Sequence, residues 1–501
     1  MRDQATTGRA PNDWLAPALL LTLLALVPPL QALTQPFNHD EEQYVAAAVL
    51  ARDLLPYRDF LYLQTPLQPL LLAPLLAAVE APPFVLARLA SAAFGVVALV
   101  LVHAVAWRLS GRRLVAGVAA ALFVTSSTMW PAFGTARNDI LPICLALLGV
   151  WLALKASDRR GHGLVALAGA VLALALSAKL SAGFAGLAVM IGLAWIVPRL
   201  LPAYLLGGVA GLLPTAVLAA LAPDAFVYGS FTYHLTAPYD WYVATGREAW
   251  LSHGFQWAYL ARAVSADPAL LAALALLLGG LIALRRHVRP SYAVLRRRGG
   301  LIVLLAAALG ALAYFGPRPP WQYYLQPAVP FLILGAAALP TVWYRRRHAY
   351  VFAGLAGLAV AVQTARLSQQ WVSPADWVPT RLHALAQAIA AQAGAGPVAT
   401  LSPVLVLDGG GAILPELASG PFFFRTGTAE LAATLPALAP MSLDESFDPP
   451  AILVGMEPVA ETALRDWARA RGYVAQPPLS VDFPVSGPPV GPAQVYLKRL
   501  P

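Results

Sequence analysis

Long apolar runs divided by short polar breaks fill most of the first 365 residues of this chain. A helix rises about 1.5 Å per residue, so a run of ~20 apolar residues is what covers a hydrocarbon layer about 30 Å thick. Runs of this kind occupy 14–34, 84–107, 114–130, 139–155, 164–180, 182–198, 202–221, 269–284, 300–315, 325–343 and 349–365. Of the 501 residues, 59% are hydrophobic and only 12% charged. A water-soluble core cannot absorb that much apolar sequence and still be covered by polar surface, so lipid is the solvent for the excess. The expected fold is therefore an α-helical polytopic membrane protein with about eleven transmembrane helices. Arg2 and Arg9 precede the first run, which is longer than the ~7–15 apolar residues of a cleavable signal peptide; a retained first helix is expected.

The charges between the runs are an independent test. With the N-terminus cytoplasmic, the inner loops hold Arg108, Arg112 and Arg113, then Arg159 and Arg160, then Arg199. Arg285, Arg286, Arg289 and Arg296 to Arg298 follow, and finally Arg345 to Arg347. Every dense arginine cluster thus falls on one side, as the positive-inside bias requires, and one span more or fewer would scramble the agreement. The outer loops hold the acidic residues Asp40, Glu41 and Glu42, the pair Arg137 and Asp139, and aromatic-rich stretches at 226–259 and 316–324. Most of those aromatics read as a belt at the membrane interface. The net charge of +9 is spread over these loops rather than gathered in a patch, so no nucleic acid is expected as a partner. The single cysteine, Cys144, lies inside an apolar run and excludes an intrachain disulfide or a thiolate metal cluster.

After residue 366 the composition changes, and the chain divides into a membrane domain, 1–365, with a long outer loop at 35–83, and a small C-terminal α/β domain, 366–501. Segment 381–393 reads as a helix, 398–407 and 451–454 as strands, 459–471 as a second helix, and 494–497 as a closing strand. An odd number of spans puts this domain on the extracytoplasmic side of a bacterial-type inner membrane.

The candidate chemistry gathers on that side. His39-Asp-Glu-Glu-Gln-Tyr44 follows the first span directly, and three carboxylates at the membrane surface are costly unless solvated or used. Capping of the following helix, which reads as an interfacial helix over 43–55, accounts for Asp40 but not for all three. Asp139 enters the fourth span from outside, at a helix N-terminus that favours a carboxylate, with Arg137 as a ready partner. Lys179 and Arg318 stand near the outer boundary, where snorkelling is the plain explanation and phosphate binding the functional one. The chain has no Walker loop, no His-Glu-x-x-His, no Gly-x-Ser-x-Gly and no dinucleotide fingerprint in a supporting context, which disfavours ATP-driven and nicotinamide chemistry. Asp408-Gly-Gly-Gly411 reads as a structural turn.

Six short motifs occur in order: His39-Asp-Glu-Glu-Gln-Tyr44, Pro56-Tyr-Arg-Asp-Phe60, Pro66-Leu-Gln-Pro-Leu70, Ala136-Arg-Asn-Asp139, Ala178-Lys-Leu-Ser181 and Tyr323-Tyr-Leu-Gln-Pro-Ala-Val-Pro330. In this order the sequence resembles the family 39-type GT-C glycosyltransferases, which include protein O-mannosyltransferases and lipid A aminoarabinose transferases. The resemblance implies a sugar donor on a polyprenyl phosphate, used on the outer face of the inner membrane with inversion at the anomeric carbon. The acceptor is a lipid, glycan or protein hydroxyl. It implies that Asp40 is the catalytic base, with Glu41 and Asp139 as further catalytic acidic positions. The substrate-binding set is Tyr44, Arg58, Asp59, Arg137, Lys179, Arg318, Tyr323 and Tyr324. It names no certain cofactor and leaves a divalent cation open. A lipid-linked sugar transporter or flippase, which would want charges buried in mid-span, and a non-catalytic subunit of envelope polysaccharide assembly are the competing classes.

Overall fold

Residues 83–110 begin with a proline, run almost unbroken through apolar side chains and meet a glycine, and they form one helix, Pro83–Ser110, of 28 residues. Proline fits the first turn because its missing N–H has no partner there, and Gly111 ends the helix with a left-handed φ of 70°. At about 1.5 Å per residue this helix is roughly 42 Å long. The structure, a computed structural model, describes residues 15–159, 161–285, 288–339, 346–370, 372–425, 447–456, 461–487 and 490–499. Arg160, Arg286, Arg345, Trp14, and residues 340–343 and 459–460, which figure in the expected loops, spans and helix, lie outside them.

Two described helices are long and apolar enough to cross a membrane, Pro83–Ser110 and Pro198–Leu221. The pair His253–Ser265 and Pro268–Leu284, bent by 100°, makes a third if it is one span. The other apolar helices found have 10–17 residues, so by helix length and composition alone the described residues give two spans, or three with the bent pair, and the figure of eleven rests on the apolar runs and the charge pattern of the sequence. The first run is split between Leu15–Leu24 and Val27–Thr34 near the prolines at 28 and 29. The run 164–198 is broken at Lys179, whose backbone is extended (φ −158°, ψ 127°) between helices His162–Ala178 and Gly183–Ile196. Helices His162–Ala178 and Leu201–Leu221 approach so closely that a Cβ on Gly207 would come within 1.8 Å of the Ala166 carbonyl oxygen, and one on Gly211 within 2.3 Å of that of Ala170. Small residues four apart at a helix contact are how helices associate where lipid removes the hydrophobic drive between them.

The two ends of helix Pro83–Ser110 carry the two sets of loops. At its C-terminal end the Arg298 guanidinium donates to the Leu109 carbonyl at 3.1 Å, joining two of the arginine-rich loops. At its N-terminal end Arg88 meets Glu41, and the Phe84 N–H donates to Asp408 at 3.0 Å. The acidic loop that follows the first run and the C-terminal region therefore share one end.

That region forms a five-stranded sheet, with β1 (Pro397–Thr400), β2 (Ala412–Ile413), β3 (Ala451–Val454), β4 (Val474–Ala475) and β5 (Gln494–Leu497) in the order β2-β1-β3-β5-β4. β1 is parallel to β2 and β3, and β5 is antiparallel to β3 and β4. Val398, Leu453 and Val495 face helix Val378–Ala393, while Ala399, Ile452 and Tyr496 face helix Thr462–Ala470. Covering both faces explains the continuous apolar run Ala451-Ile-Leu-Val454. The expected strand 398–407 is shorter: after Thr400, whose hydroxyl accepts from the Ser402 N–H at 2.9 Å, Pro403 starts the short buried helix Pro403–Asp408. The expected interfacial helix over 43–55 is also different. Helix Glu41–Leu50 is buried from Glu41 through Ala48, because the C-terminal region lies over it and shares one apolar core with Val45, Ala46 and Ala48.

Candidate active site

Asp40 stands at the N-cap of helix Glu41–Leu50, yet its side chain caps nothing. Asn38 takes the local turn instead, its side-chain oxygen accepting from the Asp40 N–H at 2.9 Å. The freed carboxylate reaches Arg137 Nη1 at 2.8 Å and His39 Nε2 at 3.0 Å. Arg137 continues the chain of charge, with Nε 2.9 Å from Asp139, and Asp139 pairs in turn with Lys179 Nζ. The result is an alternating line, Asp40–Arg137–Asp139–Lys179, drawn from three loops far apart in sequence. Tyr323 is its floor: the Arg137 guanidinium lies 4.1 Å from the ring centroid and the Lys179 ammonium 5.7 Å. Tyr324 touches Tyr323, with centroids 4.7 Å apart, and Tyr44 is buried against Tyr62.

Burial alone would raise the pKa of Asp40. Arg137, His39 and Arg425 outweigh it and hold the carboxyl well below its usual range, so it is ionised and weakly basic with its partners in place.

Glu41 has a different setting from Asp40. It is fully buried, and its Oε1 accepts from Arg88 Nε at 2.8 Å and from the Ala136 N–H at 2.6 Å. Its Oε2 accepts from Arg88 Nη2 at 2.6 Å and from the Asn38 N–H at 2.9 Å. Glu41 therefore fastens the 136–139 loop to the loop that carries Asp40. Arg88, itself fully buried, spends its remaining donors on the carbonyls of Ala32, Gln35 and Pro36 at the end of the first run. Glu42 accepts from the Val404 N–H at 2.7 Å and ties the same helix to the C-terminal region.

The remaining expected site residues do not join this line among the described contacts. Arg58 and Asp59 form an exposed two-pronged pair at 2.8 Å, and Asp59 also accepts from the Leu55 N–H, closing the turn. Arg318 meets His253 at 2.7 Å and the Leu251 carbonyl at 3.4 Å, on the aromatic loop. Arg88, Asn38 and Arg425 were not singled out from the sequence. Arg88 carried a usable signal, a lone arginine inside an apolar run, which is costly without a partner. Among the described residues no three His, Cys, Asp or Glu side chains gather as metal ligands, and both oxygens of Asp40 already face cationic groups or His39. The donor set does not fit a divalent cation.

No protein-family model matches the chain, and no curated protein matches it by sequence. Its fold does match solved structures. One is ArnT from Cupriavidus metallidurans bound to undecaprenyl phosphate, at 14% identity and a TM-score of 0.57, over 97% of this chain and 98% of that one. Another is the Archaeoglobus fulgidus oligosaccharyltransferase in the apo form, at 12% identity and 0.52, over 88% of this chain and 70% of that one. A third is AglB of the same organism with an inhibitory peptide and a dolichol phosphate, at 12% and 0.53, over 94% and 74%. The chain has the GT-C type fold of these membrane glycosyltransferases.

Proposed function

We propose that this chain is a membrane glycosyltransferase that moves a sugar from a polyprenyl-phosphate carrier to an acceptor hydroxyl on the extracytoplasmic face of a bacterial-type inner membrane. The observation that carries the reading is the Asp40 carboxylate, free of helix capping and held by Arg137 and His39. A GT-C fold supports the reaction class, and the solved structures with undecaprenyl phosphate and dolichol phosphate support the donor class.

In the proposed step the acceptor oxygen attacks the anomeric carbon as its proton passes to Asp40. The bond from that carbon to the carrier phosphate breaks, and the phosphate leaves with the electron pair, so the configuration inverts. A phosphate monoester is a stable leaving anion and needs little acid help, so one carboxylate suffices for the proton work. At rest Asp40 is a weak base because cations surround it. An arriving phosphate opposes those cations and raises its proton affinity, so basicity appears when the donor is bound. Asp139 positions Arg137 and Lys179 rather than the substrate, and Glu41 positions the loops. Tyr323 and Tyr44 line the approach.

The test is donor turnover. Purified full-length protein, given a polyprenyl-phosphate sugar and extracted envelope acceptors, should release free polyprenyl phosphate. Donor that binds but is never consumed, with any envelope fraction, would point to a carrier or scaffold role instead. Reporter fusions at residues 60, 290 and 420 check sidedness: external signals are expected at 60 and 420 and an internal one at 290.

A further inference from the structure

The two buried cations in line with Asp40 are already matched. Arg137 lies between Asp40 and Asp139, and Lys179 is held by Asp139. Two carboxylates and two cations sum to no net charge, so a carrier phosphate, singly charged as it arrives and more negative as it leaves, needs a further positive group. Arg425 provides one. It ends the turn Gly420–Arg425, which the C-terminal region lays against helix Glu41–Leu50. The fit is close: Gly420 takes φ +56°, and a Cβ there would stand 3.0 Å from Glu42 Cβ.

Contacts lead from this turn to the acid without a gap. The Arg425 guanidinium lies 5.0 Å from the Phe422 ring centroid and 5.3 Å from that of Trp241. Phe422 packs on His39 with centroids 5.8 Å apart, and His39 Nε2 is 3.0 Å from Asp40. Arg425 Nε is buried with no hydrogen-bond partner, and among the described residues no carboxylate lies within ion-pair distance of this side chain. A buried guanidinium donor left without a partner, two side chains away from the carboxylate proposed as base, is a place for an oxyanion, since Arg presents a fork that matches phosphate. The same charge is felt at Asp40 and at Tyr233 and Tyr242.

We infer that Arg425, supplied by the C-terminal region, binds the phosphate of the lipid carrier, a diester in the sugar donor and a monoester once the sugar has left. This rests on the glycosyltransferase reading above. It makes the C-terminal region part of the donor site, so that donor is held only when that region is seated on helix Glu41–Leu50. Neutralising Arg425 with phosphate also removes one of the charges that hold Asp40 acidic, which couples donor binding to base strength.

The experiment measures binding of undecaprenyl phosphate, and of uncharged undecaprenol as control, to the full-length protein in detergent micelles. Arg425→Gln should weaken phosphate binding about 10- to 100-fold, the range of one lost charge-assisted contact, and leave undecaprenol unchanged. Arg425→Lys should fall between, because it keeps the charge and loses the fork. Wild-type phosphate affinity in Arg425→Gln overturns the inference and leaves the glycosyltransferase reading intact. Equal loss for both lipids also overturns it, as a structural effect. Displacement of the lipid by excess inorganic phosphate alone would make this a free-anion site and overturn the carrier assignment. If wild type binds undecaprenyl phosphate no better than undecaprenol, the donor reading falls, and this inference with it. Should Arg425→Gln fail to fold, Arg425→Lys decides by the same comparison.

Discussion

Arg137 holds Asp40 at 2.8 Å while its Nε lies 2.9 Å from Asp139, so a single guanidinium joins the two carboxylates and, with His39 and Arg425, keeps the one proposed as base acidic. This has a consequence in pH. An unperturbed aspartate titrates near ~3.9. Because the Asp40 value is depressed, the stabilisation from its pairing is complete above that point and is lost only as pH falls through the lower folded value. The acid limb of kcat/KM should therefore lie below about pH 4 in wild type. In Arg137→Gln the largest charge opposing burial is gone, and the limb should move to higher pH, whatever the change in absolute rate. A limb that stays in place would separate Arg137 from the ionisation of the base.

A second prediction concerns the buried pair beneath the site. Arg88 and Glu41 are both fully buried and make two hydrogen bonds to each other. Removing one partner strands the other charge, so Arg88→Ala should destabilise the protein by about 3–5 kcal/mol. Arg88→Met combined with Glu41→Gln should recover much of this. Thermal unfolding in detergent reads both; a double variant no better than the single would show that the charge is not what fails.

The C-terminal region should loosen when its seat is cut. Asp408 accepts from the Phe84 N–H at 3.0 Å and from His383 at 2.9 Å. Asp408→Ala leaves both unpaired, at a cost of about 1–3 kcal/mol. Limited proteolysis of the 369–377 connection should accelerate, and donor affinity should fall with it. Faster cleavage with unchanged donor affinity would argue against a donor site shared with that region.

In the helical domain, Gly207→Leu should be poorly tolerated, since a Cβ there meets the Ala166 carbonyl. Gly208, facing open space, should accept leucine with little change. Comparable yields and unfolding temperatures for the two variants would contradict the close packing of helices His162–Ala178 and Leu201–Leu221.

Much of this site was legible because membrane sequences separate their charges. The arginine clusters sort the loops into two groups, and that sorting predicts Asp40, Arg137, Asp139 and Lys179 on one face before any contact is known. The motif order added a fold class. What the sequence did not disclose is pairing. Nothing in the residues around Glu41 says that its partner is Arg88, 47 positions on, or that Asn38 rather than Asp40 would close the turn. Segment 403–408 is an apolar run too short for its period to tell helix from strand, and Pro403 decided it. Helix Glu41–Leu50 looked interfacial because sequence gives no sign of what covers it; the C-terminal region does. Arg425 was invisible for the same reason, as its role depends on where a distant turn lands.

If Asp40 takes the acceptor proton, Asp40→Asn should abolish most turnover, since the side chain keeps its shape and loses its basic oxygen. With the purified full-length protein, expression, unfolding temperature and undecaprenyl phosphate binding should stay near wild type, while release of polyprenyl phosphate from the sugar donor falls by about 10²–10⁴. Wild-type turnover in Asp40→Asn would rule out Asp40 as the base, and an equal loss confined to Asp139→Asn would move the base to Asp139.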